Sequence, residues 1–445
     1  MKIKFSIPIS STEVSFATGA RYLGEKRLFT HLSTSSCDTD ENTLFFALQG
    51  KRTSGDEFVE ELSHRNICSL SRKHGEHILT HSSPLDALLM LAKYYKSKLT
   101  NLQKTIAITG SVGKTTTKEF LLRLLSQKWE THANEGNLNS EIGVPLTVFT
   151  TPPETEMLIL EFGMNHRGEI QRIAKSVLPD FGIITNIGHA HIGNLGSREA
   201  IAQEKMDICA HNADMPVLID ANEILLHDVK HKIGLFSDIC IKECQDIWQF
   251  SYLGRNTRII KPSLPYDSAN CMQFAIGAAL VLGLTEKELQ NGIELCKRAP
   301  CRRKELHICG ITIIDDTYNA SPESMKCAIS FLKEVKGKRK YMVVGDMLEL
   351  GEHTMKLHIE LGNALANSLF DGIYLFGEYG IYTKMGLESA GYNMSCVYLF
   401  DDIQNYEGLL CALSKELKRG DVCLLKGSNA SRMWRITEGL EEVYS

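Results

Sequence analysis

The sequence predicts an α/β protein of three domains: a small α/β domain over residues 1–100, a central parallel sheet flanked by helices over 101–300, and a third α/β domain over 301–445. Three observations predict it. At roughly 150 residues per domain, 445 residues suggest about three. From Lys104, short apolar β-rich runs alternate with loops and helical patterns, as in a mostly parallel sheet with helices on its faces. From about Arg302 the same texture starts again.

The first section carries apolar segments at Leu44–Leu48 and Phe58–Leu62 around a turn cluster, Gln49–Asp56. Leu85, Leu88, Leu89, Leu91 and Ala92 fall near helical spacing and predict a helix over Pro84–Leu99. In the second section, Thr105–Thr109 reads as a strand and Gly110–Gly113 as a loop. A helix follows with Phe120, Leu121, Leu124 and Leu125 on one face. Met157–Leu160, Gly182–Thr185 and Pro216–Ile219 read as further buried strands, and a helix over Ala269–Leu282 closes the section. The third section has strands at Thr312–Ile314, Tyr341–Val344, Ile373–Phe376 and Val422–Leu425. They run into Asp315-Asp316, Gly345-Asp346, Gly377 and Lys426-Gly427. The carboxyl ends of parallel strands are where such sheets hold ligands.

Hydrophobic residues at 43% and charged residues at 23% exclude disordered and fibrous classes. With 49 Lys+Arg against 54 Asp+Glu, the net charge of −5 argues against nucleic acid or an anionic membrane as the main partner. No apolar run approaches the roughly 18 residues of a membrane span; Phe274–Leu284 is short and contains Gly277. Met1–Ser10 lacks a long apolar core and a cleavage site, so no signal peptide is expected. The 13 cysteines are odd in number, scattered and without Cys-x-x-Cys. Reduced thiols in a cytoplasmic protein are the expectation. Nothing calls for an oligomer, so a monomer is expected.

Thr109-Gly110-Ser111-Val112-Gly113-Lys114-Thr115-Thr116-Thr117 joins a strand to a helix. Glycines let backbone N–H groups approach phosphate oxygens, and a helix N-terminus adds positive dipole. Lys114 can reach β/γ-phosphates, and the Thr115 hydroxyl can ligate Mg²⁺. A full Walker pattern wants Gly five residues before Gly113, where Ile108 stands, so the loop is a shortened one. Gly-Lys-Thr at a helix start can arise by chance. The strand before and the helix after favour nucleoside triphosphate binding in a P-loop-type domain, without naming a reaction.

Glu161 ends the strand Met157–Leu160, a place that suits a hard cation. His189 and His191 follow in Asn186-Ile187-Gly188-His189-Ala190-His191, and Lys205 lies on a helix over Arg198–Ile208. Taken singly, the ordinary readings are stronger: a solvated strand end, a structural His pair, a surface lysine. Their order after a phosphate loop carries the weight.

That order resembles the Mur ligases, the ATP-dependent amide ligases of bacterial cell-wall precursor synthesis, over nearly the whole chain. Gly136-Asn137-Leu138-Asn139-Ser140-Glu141-Ile142-Gly143-Val144-Pro145 and Leu160-Glu161-Phe162-Gly163-Met164-Asn165 carry the resemblance beside the strings above. The third section is similar to that of the members adding D-alanyl-D-alanine to a UDP-muramoyl tripeptide. Its marks are Asp315-Asp316-Thr317-Tyr318-Asn319-Ala320-Ser321-Pro322-Glu323-Ser324-Met325, Gly345-Asp346-Met347-Leu348-Glu349-Leu350-Gly351, and Lys426-Gly427-Ser428. The Asp-Asn-Pro-Arg string of the diaminopimelate-adding relative is absent.

The resemblance implies a UDP-sugar-binding first domain, an ATP-binding second and a Rossmann-like third that binds the dipeptide and closes on ATP. It implies that Gly110, Ser111, Val112, Gly113, Lys114, Thr115 and Thr116 hold ATP phosphates, with Thr115, Glu161, His191 and Lys205 serving Mg²⁺. Lys205 matches the lysine the family carbamoylates, and His189 falls at a variable position. Arg303 and Asp316 match residues closing onto the nucleotide, and Asn270 an adenine-side Asn. Asn137 and Asn139 match a substrate-facing loop, Tyr318 and Asn319 lie in the dipeptide-ligase signature, and Ser36 lies in the uridine-side string. There are departures. The family's Ser-Thr-Asp-Ser-Arg reads Ser33-Thr34-Ser35-Ser36-Cys37, and a His-Asn pair ahead of Asn270 reads Tyr266-Asp267. Ser140 replaces a second Asn, and Asn-Ala-Asp-Asp reads Asp220-Ala221-Asn222-Glu223. The rival readings are an ATP-dependent ligase joining glutamate to a folate, and a nucleotide-binding relative without chemistry.

Overall fold

The computed structural model describes residues 1–50, 52–262, 266–296 and 304–444. Among them four sheets form, and three carry the helices. The first has five strands in chain order, Lys2–Ser10, Leu28–Ser33, Thr43–Phe46, Cys68–Ser71 and Ile78–Thr80. Its first pair is antiparallel and the others parallel. Ser10 ends the first strand and starts helix Ser11–Thr18. Its backbone N–H donates to the Glu13 carboxylate (2.9 Å) while its hydroxyl accepts from the Glu13 N–H, a reciprocal cap.

Helix Pro84–Lys96 starts on a Ser83 cap with Pro at its first position, and it buries Leu88, Leu91, Ala92 and Tyr95. It packs on helices Gly143–Thr150 and Glu169–Val177 of the second section. Phe5, Tyr95 and Phe149 form a three-ring cluster with centroids 5.3–5.7 Å apart. Lys96 Nζ donates to the carbonyls of Val177 (2.6 Å) and Leu178 (2.8 Å), capping the end of helix Glu169–Val177. A cation there complements the helix dipole by about 0.3–2 kcal/mol. Burial pushes Lys96 down to about 8, with Asp180 opposing. One continuous apolar core therefore joins the first two sections.

The second sheet has six parallel strands in the order Lys232–Leu235, Val217–Asp220, Phe181–Ile184, Lys104–Thr109, Met157–Glu161, Thr131–Ala133. The chain enters at Lys104–Thr109 and builds outward to both sides, so the loop after Thr109 lies at the reversal of strand order, where such sheets bind ligands. The helix Tyr266–Val281 does not close this section as expected, because Glu286–Cys296 follows and packs on Lys114–Leu125. The sequence reading also missed a three-stranded antiparallel sheet, Cys240–Cys244, Ile247–Tyr252 and Arg255–Ile260. Only Trp248, Phe250, Thr257 and Ile259 of it are buried. Its other face is mostly polar, with Ile247 and Ile260 exposed on it, which leaves little apolar signal.

The third sheet of this kind runs Lys304–Ile308, Ile311–Asp316, Val422–Lys426, Lys340–Gly345, Gly372–Phe376, Val397–Phe400. Its first pair is an antiparallel hairpin and the rest are parallel. The late strand Val422–Lys426 sits between two earlier ones, so Lys426 and Asp316 end side by side. Among the described residues no helix is long and apolar enough to cross a membrane, and the cysteines are unpaired.

Candidate active site

The phosphate loop is held by the next strand. The Ser111 and Val112 N–H groups both donate to Asn186 Oδ1 at 3.0 Å, Thr185 Oγ1 donates to the Val112 carbonyl (2.6 Å), and Gly188 N–H donates to Ser111 Oγ (2.8 Å). Gly113, at φ +83°, turns the chain into helix Lys114–Leu125. Gly110 needs its missing side chain: a Cβ there would lie 1.9 Å from Thr185 Oγ1, at φ +150°. Gly110→Ala is therefore expected to lower stability by about 1–3 kcal/mol and to weaken nucleotide binding. Urea unfolding and ATP titration check this, and unchanged values in both would contradict it. Lys114 Nζ donates to the Gly110 carbonyl at 2.7 Å and lies over the loop.

Glu161 is buried and ends its strand beside this loop. Thr115 Oγ1 donates to one carboxylate oxygen (2.6 Å) and Asn139 Nδ2 to the other (2.8 Å). Asn134, which the sequence reading missed, pins the Glu161 backbone. Its Oδ1 accepts from Glu161 N–H (2.8 Å), and its own carbonyl accepts from buried Lys118. Thr115 and Glu161 thus present a hydroxyl and a carboxylate together.

Lys205, on helix Arg198–Met206, is 2% exposed and has no hydrogen bond or ion pair among the described residues. Its neighbour Glu204 is also buried but is engaged elsewhere, accepting from Gly168 N–H (2.7 Å) and Ile170 N–H (2.9 Å) at the start of helix Glu169–Val177. Burial, and then the charge of Lys114, push the Lys205 amine well below the usual lysine range, with Glu204 opposing.

His191 and His189 both meet the third section. His191 Nδ1 lies 2.7 Å from Glu349 Oε2. His189 Nδ1 lies 2.6 Å from Glu323 Oε1, which also accepts from His189 N–H (3.0 Å). Across the cleft, buried Lys426 donates to Asp316 Oδ2 and to the Asn319 carbonyl, both at 2.9 Å. Burial pushes the Asp346 carboxyl up to about 6, against hydrogen bonds from the Tyr379 and Glu378 amides.

One cleft of about 1520 Å³ gathers residues of the second and third sections. Lys114, Thr115, Glu161, Asn139, His191 and Asn270 face it from the second section, and Asp316, Tyr318, Asn319 and Lys426 from the third. Ser111, Val112, Gly113 and Thr116 line it too. Gly110, Lys205, Asn137 and Ser36 are not among its lining residues. Asn137 is exposed, and Ser36 sits in the turn after strand Leu28–Ser33, its carbonyl accepting from Thr39 Oγ1. Arg303 and the side chains of Tyr266 and Asp267 lie outside the described residues. Among the departures, Ser140 Oγ accepts from Gly143 N–H (3.2 Å) at the start of helix Gly143–Thr150, and Asp220 lines the cleft. Phe236, unread in the sequence, also lines it, 41% exposed and at φ +73°.

Among the described residues no three His, Cys, Asp or Glu side chains converge as a metal cage. A hydroxyl, a buried carboxylate and an imidazole beside a phosphate loop nevertheless fit Mg²⁺, which keeps water and takes substrate phosphate oxygens as ligands. His191 Nδ1 is buried without a hydrogen bond aligned on it, and Lys205 is buried with no hydrogen bond or ion pair among the described residues. Both are polar groups that a bound cation with its ligands would engage.

Residues 108–238 match the Mur ligase middle domain and residues 302–429 the Mur ligase glutamate ligase domain. The UDP-N-acetylmuramoyl-tripeptide--D-alanyl-D-alanine ligase of Bacillus subtilis is 31% identical, covering 94% of each chain. The MurF crystal structure from Acinetobacter baumannii superposes with a TM-score of 0.85 at 25% identity, over 99% of this chain and 100% of that one. MurF ligase from Thermotoga maritima, solved in complex with ADP, superposes with a TM-score of 0.77 at 28% identity, over 93% and 97%. This chain belongs to the Mur ligase family, as an ATP-dependent amide ligase of the UDP-N-acetylmuramoyl-tripeptide--D-alanyl-D-alanine ligase type.

Proposed function

We propose that this ligase joins the terminal carboxylate of a UDP-N-acetylmuramoyl tripeptide to the amine of D-alanyl-D-alanine in the cleft between the second and third sections. The observation that carries this is a phosphate loop, a Thr115–Glu161 pair and a third-domain Lys426–Asp316 pair on one cavity. The tripeptide carboxylate attacks the γ-phosphorus of ATP, forming an acyl phosphate and releasing ADP. The dipeptide amine then attacks the acyl carbon, and phosphate leaves with one carboxylate oxygen.

Anion attacking anion must be neutralised. Thr115, Glu161 and His191 would hold Mg²⁺, which when bound would supply charge neutralisation at the phosphates. Lys114 leaves its loop carbonyl to contact the β/γ-phosphates, and the Ser111–Thr116 amides cradle them. Lys205 is carbamoylated: a buried amine with a depressed pKa is a free nucleophile toward CO₂, and the product is an anionic oxygen donor in place of an ammonium that would repel a cation. Asn270 takes the adenine side, and Asp316 and Arg303 close on the nucleotide. Tyr318 and Asn319 face the dipeptide, and Asn139 faces the tripeptide.

The domains divide as 1–100 for the UDP-sugar end, with Ser36 and Asn137 reaching the muramoyl substrate, 101–300 for ATP and 301–445 for the dipeptide. The protein works as a monomer in the cytoplasm, where its thiols stay reduced. Purified protein with ATP, Mg²⁺, tripeptide substrate and D-alanyl-D-alanine is expected to release phosphate only when all four are present. Release without the dipeptide, or with a folate and glutamate instead, would overturn this reading.

A further inference from the structure

We propose that Glu349 is a positioning residue for His191: it crosses from the third domain and holds the imidazole so that Nε2 is the nitrogen turned to the metal. This rests on the reading of His191 as a metal ligand. Glu349 Oε2 lies 2.7 Å from His191 Nδ1, and that nitrogen is buried, off the axis of any hydrogen bond. Metal-ligating histidines commonly give their other ring nitrogen to a carboxylate, which fixes the ring and its tautomer.

Two further observations single out this contact. His191 sits at φ +65° and Glu349 at φ +63°, left-handed backbone that non-glycine residues adopt at a cost. Two strained residues from two domains meet side chain to side chain. The surrounding backbone sets the register of that meeting. Gly193 N–H donates to the Glu349 carbonyl at 2.9 Å. Gly193 and Gly351 face each other so closely that a Cβ on Gly193 would lie 2.5 Å from Gly351 N. Glu323 fixes the same loop at His189, and a Cβ on Gly188 would lie 2.5 Å from its carboxyl carbon. The third domain therefore docks at residues 188–193 of the second, and docking delivers Glu349 to His191. The metal site is complete only in the docked arrangement.

The test is Mn²⁺ binding to the full chain with ADP, read by electron paramagnetic resonance, which needs no turnover. Glu349→Ala is expected to weaken Mn²⁺ about 10–100-fold, with the thermal unfolding midpoint and metal-free ADP affinity unchanged. Gly193→Ala, which blocks the docking without touching the carboxylate, is expected to weaken Mn²⁺ as well. His191→Ala separates the two readings. If it weakens Mn²⁺ and Glu349→Ala does not, the positioning role is wrong. If His191→Ala leaves Mn²⁺ affinity unchanged, the metal reading of His191 fails and the proposal falls with it.

Discussion

Lys205→Met is expected to cut ligation by about 10²–10³-fold while leaving the fold as stable as before or more so. The two halves have separate causes. Lys205 is buried without a partner among the described residues, and Glu204 spends its oxygens on the amides of Gly168 and Ile170. Replacing a buried amine that the fold must desolvate with an apolar group of similar length is expected to change stability by between nothing and about 4 kcal/mol of gain. The pH dependence follows in sign. The folded-state pKa is depressed, so the unfolded chain binds more protons between the two values. In CO₂-free buffer, wild-type stability rises with pH across that window, and the Met variant loses the rise. Denaturant titrations over pH check this, and phosphate release measures the activity. A carbamate signal from ¹³C-labelled bicarbonate should appear in wild type alone. A Met variant that unfolds more easily would show that the lysine is structural.

Lys114→Ala is expected to lower phosphate release by about 10³-fold or more, because one aimed charge at the transferring phosphoryl group is worth roughly that. Its ammonium lies over the loop, donating to the Gly110 carbonyl at 2.7 Å and to the Ser111 carbonyl at 3.4 Å, both within the loop itself. Thermal unfolding should stay within about 0.5 kcal/mol of wild type. Removing the Lys114 charge also removes a repulsion that depresses Lys205, so the Lys205 amine should titrate higher in this variant. A variant that retains most of its turnover would place the phosphates elsewhere.

The loop, Glu161 and the parallel strands were legible because their chemistry is local: a strand end, a glycine turn and a helix start are adjacent in sequence. Lys205 and His191 stand out only through their order along the chain, since each alone reads as an ordinary residue. What the sequence hid depends on approach from a distance. Asn134 acts by reaching Glu161, 27 positions on, and Lys426 acts by reaching Asp316, 110 positions back. His189, set aside as variable, meets Glu323 of another domain. The small sheet over 240–260 escaped because only one of its faces is buried, on four side chains. The Ser33–Cys37 departure stays outside the cleft, with Ser33 Oγ turned back on the Ser35 carbonyl at 2.8 Å.

The central claim is that the tripeptide carboxylate is activated by attack on ATP. The most direct test labels that carboxylate with ¹⁸O and reads the isotope in the released phosphate by mass spectrometry. One ¹⁸O per phosphate is the predicted result, since the oxygen that bridges carbon and phosphorus leaves with phosphorus. Unlabelled phosphate formed alongside ligated product would contradict the account.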